Sequence, residues 1–304
     1  LSANMISMSR QLLVGELLRK ATFKSPNQLA YSYENRTLTY RQLQTRSYQL
    51  AGWLQNQGLK KGDKVGFLFK NNLEFIELFF GVSLSGGVGV PLNFRLVSEE
   101  LLYILNDSDT KILFIGEEFE DSIASIKDKL VNVEIIVSLG SDQKGDMISY
   151  GKIFSTLSTF EDRSINDDDE CMIIYTSGTT GKPKGVVLTH KNLVVNAQNM
   201  IWELQLEYNF KQIIVAPLFH IGAMGTILYS CLTNGFSVIH REFEPTNILS
   251  TIQTQQINGM FLVPSMWNSI LQVPNIESYD LSSMKKCFIG GAICPLEIKK
   301  QIME

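Results

Sequence analysis

Apolar positions along this chain fall into short continuous runs separated by longer amphipathic ones. Leu12, Leu13, Leu17 and Leu18 form a stripe interrupted by Glu16, Arg19 and Lys20, which predicts an opening amphipathic helix and is broken too soon for a signal-peptide core. From Thr37 the rhythm is regular. A helix starting at 38–40 carries Leu43, Tyr48, Leu50, Ala51, Trp53 and Leu54, the turn 58–62 ends it, and 64–69 reads as a buried strand. A helix around 75–84 leads to a strand with Val88 and Val90, and Ser98 before Glu99 and Glu100 has the make-up of a helix start. Residues 112–115 and 134–137 are further β-rich runs with a helical segment, 121–130, between them.

Two polar stretches, 141–146 and 161–170, interrupt this pattern as exposed connections. The run Asp167-Asp168-Asp169-Glu170 reads as a solvated turn ahead of a strand, not as a metal site. Strand 171–176, a polar loop, strand 186–188, a helix from Thr189 and strand 213–216 then follow. Thr189 is a suitable N-cap, and Leu193, Val194, Ala197, Met200, Ile201 and Leu204 repeat on one helical face. The alternation predicts an α/β fold of mixed, mostly parallel sheets covered by helices. It suggests two α/β subdomains, 5–166 and 167–304, the second incomplete and opening with the strand before the polar loop.

Residues 213–239 contain no Asp, Glu, Lys or Arg, a length that could span a bilayer. Pro217, His220, Gly222, Gly225, Asn234 and Gly235 break the run, so a buried strand–helix–strand is expected in place of a transmembrane segment; peripheral membrane contact stays open.

Composition narrows the function. The chain of 304 residues can bury a sizeable core without disulfides, and its net charge of −4 offers no basic field for nucleic acid. Cys171, Cys231, Cys287 and Cys294 form no C-x-x-C, and His190, His220 and His240 lie in separate segments, so zinc is not expected. Sparse, unpatterned cysteine suits a reducing cytoplasm.

Candidate chemistry sits in residues 175–185, Tyr-Thr-Ser-Gly-Thr-Thr-Gly-Lys-Pro-Lys-Gly, between two apolar strands. Gly178 and Gly181 let backbone N–H groups converge on an anion; Thr176, Ser177, Thr179 and Thr180 add O–H donors, and Lys182 and Lys184 add counter-charge. Composition alone also fits a plain turn. It is not a Walker A loop, because only Thr179 and Thr180 separate the glycines and Pro183 follows Lys182. Nor does it open a helix.

This string closely resembles the phosphate-binding signature of the adenylate-forming enzymes, the superfamily of acyl-CoA synthetases, adenylation domains and luciferases. The resemblance covers nearly the whole chain. Leu38-Thr39-Tyr40-Arg41-Gln42-Leu43, Gly58-Leu59-Lys60-Lys61-Gly62-Asp63 and Pro91-Leu92-Asn93 with Arg95 look like its early landmarks. Pro217-Leu218-Phe219-His220 is similar to the acyl-CoA synthetase form of its substrate motif, and Gly290-Gly291-Ala292 to the stretch that packs on adenine. His220 follows a strand and a turning proline, which puts it at the carboxyl edge of a sheet, where an imidazole can hydrogen-bond a carboxylate. By spacing alone it could equally be a core or turn histidine, and Gly290-Gly291 a tight turn ahead of Pro295. Ile293 stands where the family commonly has proline.

The resemblance implies the large N-terminal domain of an adenylate-forming enzyme and a two-step reaction: carboxylate and ATP give acyl-AMP and pyrophosphate, and a thiol such as coenzyme A then takes the acyl group. It implies phosphate contacts from Thr176–Lys184, adenine contacts from Gly290–Ala292, carboxylate placement by His220, and an acyl pocket with His220, Met224, Val263, Pro264 and Ser265. Met224 could equally be core packing. Amino-acid adenylation domains commonly have Phe-Asp where this chain has Phe219-His220, so a plain fatty or other hydrophobic acid is favoured over an amino acid, whose ammonium would be unpaired. The family's later motifs, its contacts for Mg²⁺ and its small C-terminal domain are not found within these residues, so the chain is expected to be inactive alone. An aryl-acid or amino-acid activator serving a carrier-protein thiol, or a non-catalytic nucleotide-binding module, are the alternatives.

Overall fold

The computed structural model describes residues 12–140, 145–155, 158–176 and 181–303. Two sheets carry the fold. Strands β1 (Leu29–Tyr33), β2 (Arg36–Thr39), β10 (Lys211–Ile214), β11 (Phe236–Ile239), β12 (Gly259–Leu262) and β13 (Lys286–Ile289) form one, in the order β13-β12-β10-β11-β1-β2. The other holds β3 (Lys64–Leu68), β4 (Val88–Pro91), β5 (Thr110–Ile115), β6 (Ile135–Ser138), β7 (Ile148–Ser149), β8 (Glu170–Thr176) and β9 (Lys184–Thr189), in the order β7-β6-β5-β3-β4-β8-β9. Each is parallel except for one antiparallel edge strand, β2 in the first and β9 in the second. The mixed, mostly parallel α/β architecture is as expected.

The boundary expected between 166 and 167 does not separate the sheets. Strand β8, which precedes the polar loop, pairs with β4 at Gly89 and Met172, while β1 joins the later sheet through Tyr31 and Ser237. A cut there would split the seven-stranded sheet. The βα rhythm is local, whereas sheet membership follows from pairings far apart in sequence. The β1–β2 hairpin itself precedes the point where the rhythm becomes legible.

Alternate strand residues sort into three cores, as a period of two requires. Phe67, Phe114 and Ile214 join a central core shared by both sheets, Leu68, Leu113 and Ile115 an outer one, and Ile213 and Val215 the other outer one. The helix Leu73–Ser85 lies in the central layer, which explains why all of its residues are buried. Asn72 Oδ1 caps it by accepting from Phe75 N at 2.8 Å, and Gly86, at φ +82°, ends it. Thr39 with Gln42 and Thr189 with Asn192 form capping boxes on the helices Tyr40–Asn56 and His190–Leu204. The helix Ser98–Asp107 starts at Ser98 as expected, after Val97; Glu100 supplies the acceptor for the Val97 N–H at 3.1 Å.

The uncharged run 213–239 folds as β10, two short helices (Ile221–Met224 and Ile227–Thr233) and β11. Among the described residues no helix is long and apolar enough to cross a membrane. The acidic run forms the turn into β8, with Lys61 2.5 Å from Asp169 and Lys191 3.5 Å from Asp168.

His190 opens its helix inside the core at 1% exposure. Its Nδ1 accepts from Val14 N at 3.3 Å, so the neutral ring carries its proton on Nε2. Burial holds its pKa down to about 4 from 6.5, against the smaller opposing influence of Asp169. The unfolded chain therefore binds a proton that the folded one refuses, and stability is full above 6.5 and lost as pH falls towards 4. A loss of about 3 kcal/mol is expected across that window. Urea denaturation at successive pH values checks it: His190→Gln should flatten the profile, and an unchanged slope would refute the assignment.

Candidate functional site

Three segments predicted from sequence leave the carboxyl ends of parallel strands. Strand β8 ends at Thr176, which pairs across the hairpin with Lys184, the first residue of β9. Gly181 at φ +92° occupies the left-handed region that glycine tolerates best. Thr176, Lys182 and Lys184 are exposed; Ser177, Gly178, Thr179 and Thr180 lie outside the described residues.

After β10 the chain turns through Val215–Pro217 into His220, an exposed residue at the start of Ile221–Met224. A buried side chain that the sequence reading missed shapes this turn. Asn71, just past the end of β3 in the other sheet, donates from Nδ2 to the carbonyls of Val215 (3.3 Å), Ala216 (3.1 Å) and His240 (3.3 Å). Its Oδ1 accepts from Leu218 N at 2.9 Å. One amide thus ties the carboxyl edges of the two sheets together. A polar Asn71-Asn72 pair directly after an apolar strand was the available signal, since ligands gather at such ends.

The landmark containing Arg95 meets the His220 motif here. Phe94 and Phe219 pack edge to face at 5.2 Å between centroids, and the Arg95 guanidinium lies 5.4 Å from the first ring and 6.0 Å from the second. Partial burial, and then the positive charge of Arg95, lower the His220 pKa, so a neutral imidazole is favoured. Lys70, Asn71, Phe94, Arg95, Pro217 and Arg241 help to line a cleft of about 230 Å³ between the sheet edges. A larger hollow of about 380 Å³ beside Arg19, Asp162, Arg163 and His190 holds none of the motif residues.

Strand β13 runs into Gly290 and Gly291, the latter at φ +80°. The Phe261 ring fills the space beside two glycines, one just after the His220 turn and one in the glycine strip: a Cβ on Gly290 would lie 2.8 Å from it, and one on Gly222 3.2 Å. The His220 turn and the glycine strip are therefore neighbours across one aromatic ring. Val263 lies against Gly291, where an added Cβ would meet its Cγ1 at 3.2 Å. Pro264 is buried at the first turn of its helix, whereas Ser265 and Ala292 are exposed. Met224 is fully buried in the central core. Among the described residues no group of three or more His, Cys, Asp or Glu side chains could hold a metal ion.

Fold and site together define an α/β protein with a lysine-bearing glycine hairpin, a histidine turn and a glycine strip at its strand ends. The chain belongs to the AMP-binding enzyme family, whose profile matches residues 18–304, and so to the adenylate-forming superfamily. It is 33% identical over 282 residues to a feruloyl-CoA synthase of an Amycolatopsis species, covering 92% of this chain and 54% of that protein. It is 29% identical over 285 residues to the long-chain-fatty-acid–CoA ligase FadD13 of Mycobacterium tuberculosis, covering 93% of this chain and 56% of that one. Among solved structures, the N-terminal domain of FACL13 from Mycobacterium tuberculosis superposes with a TM-score of 0.87 at 28% identity, covering 96% of this chain and 73% of that chain. The chain thus spans about half the length of these curated relatives.

Proposed function

We propose that this chain supplies the acid- and nucleotide-binding part of an acyl-CoA synthetase that activates a hydrophobic carboxylic acid. The observation that carries the reading is the packing of the His220 turn and the Gly290 strip on the same Phe261 ring, at the sheet edge where β10 and β13 end. A carboxylate held at His220 would lie next to a nucleotide stacked on Gly290, Gly291 and Ala292.

In the first step a carboxylate oxygen attacks the α-phosphorus of ATP and the bond to pyrophosphate breaks, giving acyl-AMP. In the second, the sulfur of coenzyme A attacks the acyl carbon and AMP leaves. Thr176, Lys182 and Lys184, with the loop 177–180, would hold the β- and γ-phosphates and stabilise charge on the departing pyrophosphate. Neutral His220 can donate a hydrogen bond to the carboxylate without protonating it, and Arg95 adds positive charge nearby. Phe219, Phe261 and Val263 offer apolar walls. Mg²⁺, when bound, would neutralise phosphate charge; none of the steps assigned to these residues depends on it.

The reading covers fatty and aromatic acids alike. The named relatives include one of each kind, and no carboxylate stands at position 220 to pair an amino acid's ammonium. The test is acid-dependent ATP–pyrophosphate exchange by the complete polypeptide, across short, long and aromatic acids, with the 304-residue chain run alongside. Exchange driven by one class of acid identifies the substrate. Silence with every acid, on a folded protein that binds ATP, would overturn the carboxylate reading.

A further inference from the structure

Helix Ser98–Asp107 carries no motif that the sequence reading singled out, yet it touches the phosphate hairpin on both sides of the loop. Tyr103 and Asp107 are one helical turn apart and share a face. On the β8 side, the Tyr175 hydroxyl donates to Asp107 Oδ2 at 2.7 Å. On the β9 side, the Tyr103 hydroxyl lies 3.3 Å from the Pro183 carbonyl and 3.4 Å from Asp107 Oδ1, dividing its donation between them. Lys182 completes the arrangement, with Nζ 5.2 Å from the centroid of the Tyr103 ring. The chain on either side of the glycine loop therefore rests on the same two side chains.

The chemistry of this seat suits a polyanion. A cation–π contact fixes the direction of an ammonium without cancelling its charge, whereas a carboxylate in its place would compete with phosphate. Asp107, on the same helix face as Tyr103, is occupied by two tyrosine hydroxyls.

We propose that Tyr103 and Asp107 are positioning residues for the phosphates of ATP: they hold Lys182 and the Pro183 backbone so that the hairpin presents its positive charge to a bound polyphosphate. This deepens the proposed function and rests on its assignment of the hairpin to phosphate. Tyr103 and Asp107 are not catalytic residues, since they act through Lys182 and Pro183.

The experiment measures binding of ATP, inorganic tripolyphosphate and adenosine to the complete polypeptide by titration calorimetry. Tyr103→Leu should weaken ATP and tripolyphosphate by roughly fivefold to tenfold while leaving adenosine unchanged. Tyr103→Phe keeps the ring under Lys182 and should recover most of the loss. Asp107→Asn, which keeps the size but weakens the acceptor, should fall between them. Adenosine binding reports whether each variant keeps its fold. Equal affinity of wild type and Tyr103→Leu for ATP and tripolyphosphate would overturn the inference while leaving the phosphate hairpin intact. A matching loss for adenosine would overturn it too, by showing a general structural fault. If the wild type binds ATP no tighter than adenosine and ignores tripolyphosphate, the phosphate assignment itself fails and this inference falls with it.

Discussion

Lys184→Ala is expected to slow acid-dependent ATP–pyrophosphate exchange by the complete polypeptide about a hundredfold, the scale of losing one preorganised charge-stabilising donor. Lys184 opens β9 and is fixed opposite Thr176 by the antiparallel register, so its backbone position follows from the hairpin and not from the ligand. Because its side chain is exposed, removing it should leave the fold unchanged. The ammonium is most needed where negative charge gathers on the leaving pyrophosphate, so the loss should appear mainly in kcat and less in adenosine affinity. Exchange within about threefold of wild type would remove Lys184 from the site and leave phosphate binding to the other hairpin groups.

The second large effect concerns stability. Glu77, at 2% exposure on the central helix Leu73–Ser85, accepts from Arg46 Nε at 2.5 Å, Arg46 Nη2 at 3.0 Å and the Tyr150 hydroxyl at 2.7 Å. The Arg46 guanidinium also lies 3.9 Å from the Phe154 ring centroid. Burial raises the Glu77 pKa, and Arg46 only partly offsets it. Arg46→Ala would leave that carboxylate without its counter-charge, at a cost of about 3 kcal/mol near neutral pH. A group whose folded pKa is raised is stabilised by protonation, so the difference between variant and wild type should shrink as pH falls below that pKa. Glu77→Gln should cost less, because an amide needs hydrogen bonds but no counter-ion. Paired denaturation curves at neutral and acid pH decide it. A loss that does not vary with pH would mean that packing against Phe154, not the buried charge, is what Arg46 contributes.

Much of this molecule was legible in its sequence because the relevant signals are local. The Thr189 cap, the apolar run that became β3 and the helix expected around 75–84 each rest on signals within a few residues, and all appear close to where they were expected. The charge-free run 213–239 was readable for the same reason, since its proline and glycines forbid one long helix. The hairpin 175–185 stood out through glycine and lysine content before any strand was paired.

The rest depended on which distant elements meet. Asn71 gives little sign of its role, because its partners at Val215, Ala216, Leu218 and His240 lie more than a hundred residues away. Phe261 reads as an ordinary strand residue until Gly222 and Gly290 are brought to either side of it. Met224, offered by resemblance as a pocket gate, is placed in the central core by the crossing of elements from both sheets. The division at 166 and 167 had the same weakness: strand patterns report burial on a sheet but not the identity of the sheet.

By itself, then, the sequence determined most of the α/β elements from Thr37 onward, the Thr189 cap, and the chemical groups carried at the predicted strand ends, since these follow from backbone preference and side-chain type within a few residues. Only the tertiary structure decided that β1 and β2 complete the later sheet, that one buried amide joins two sheet edges, and that Tyr103 and Asp107 support the hairpin. Those outcomes are set by packing and hydrogen bonding between segments far apart along the chain, where the pattern around either partner carries no record of the other.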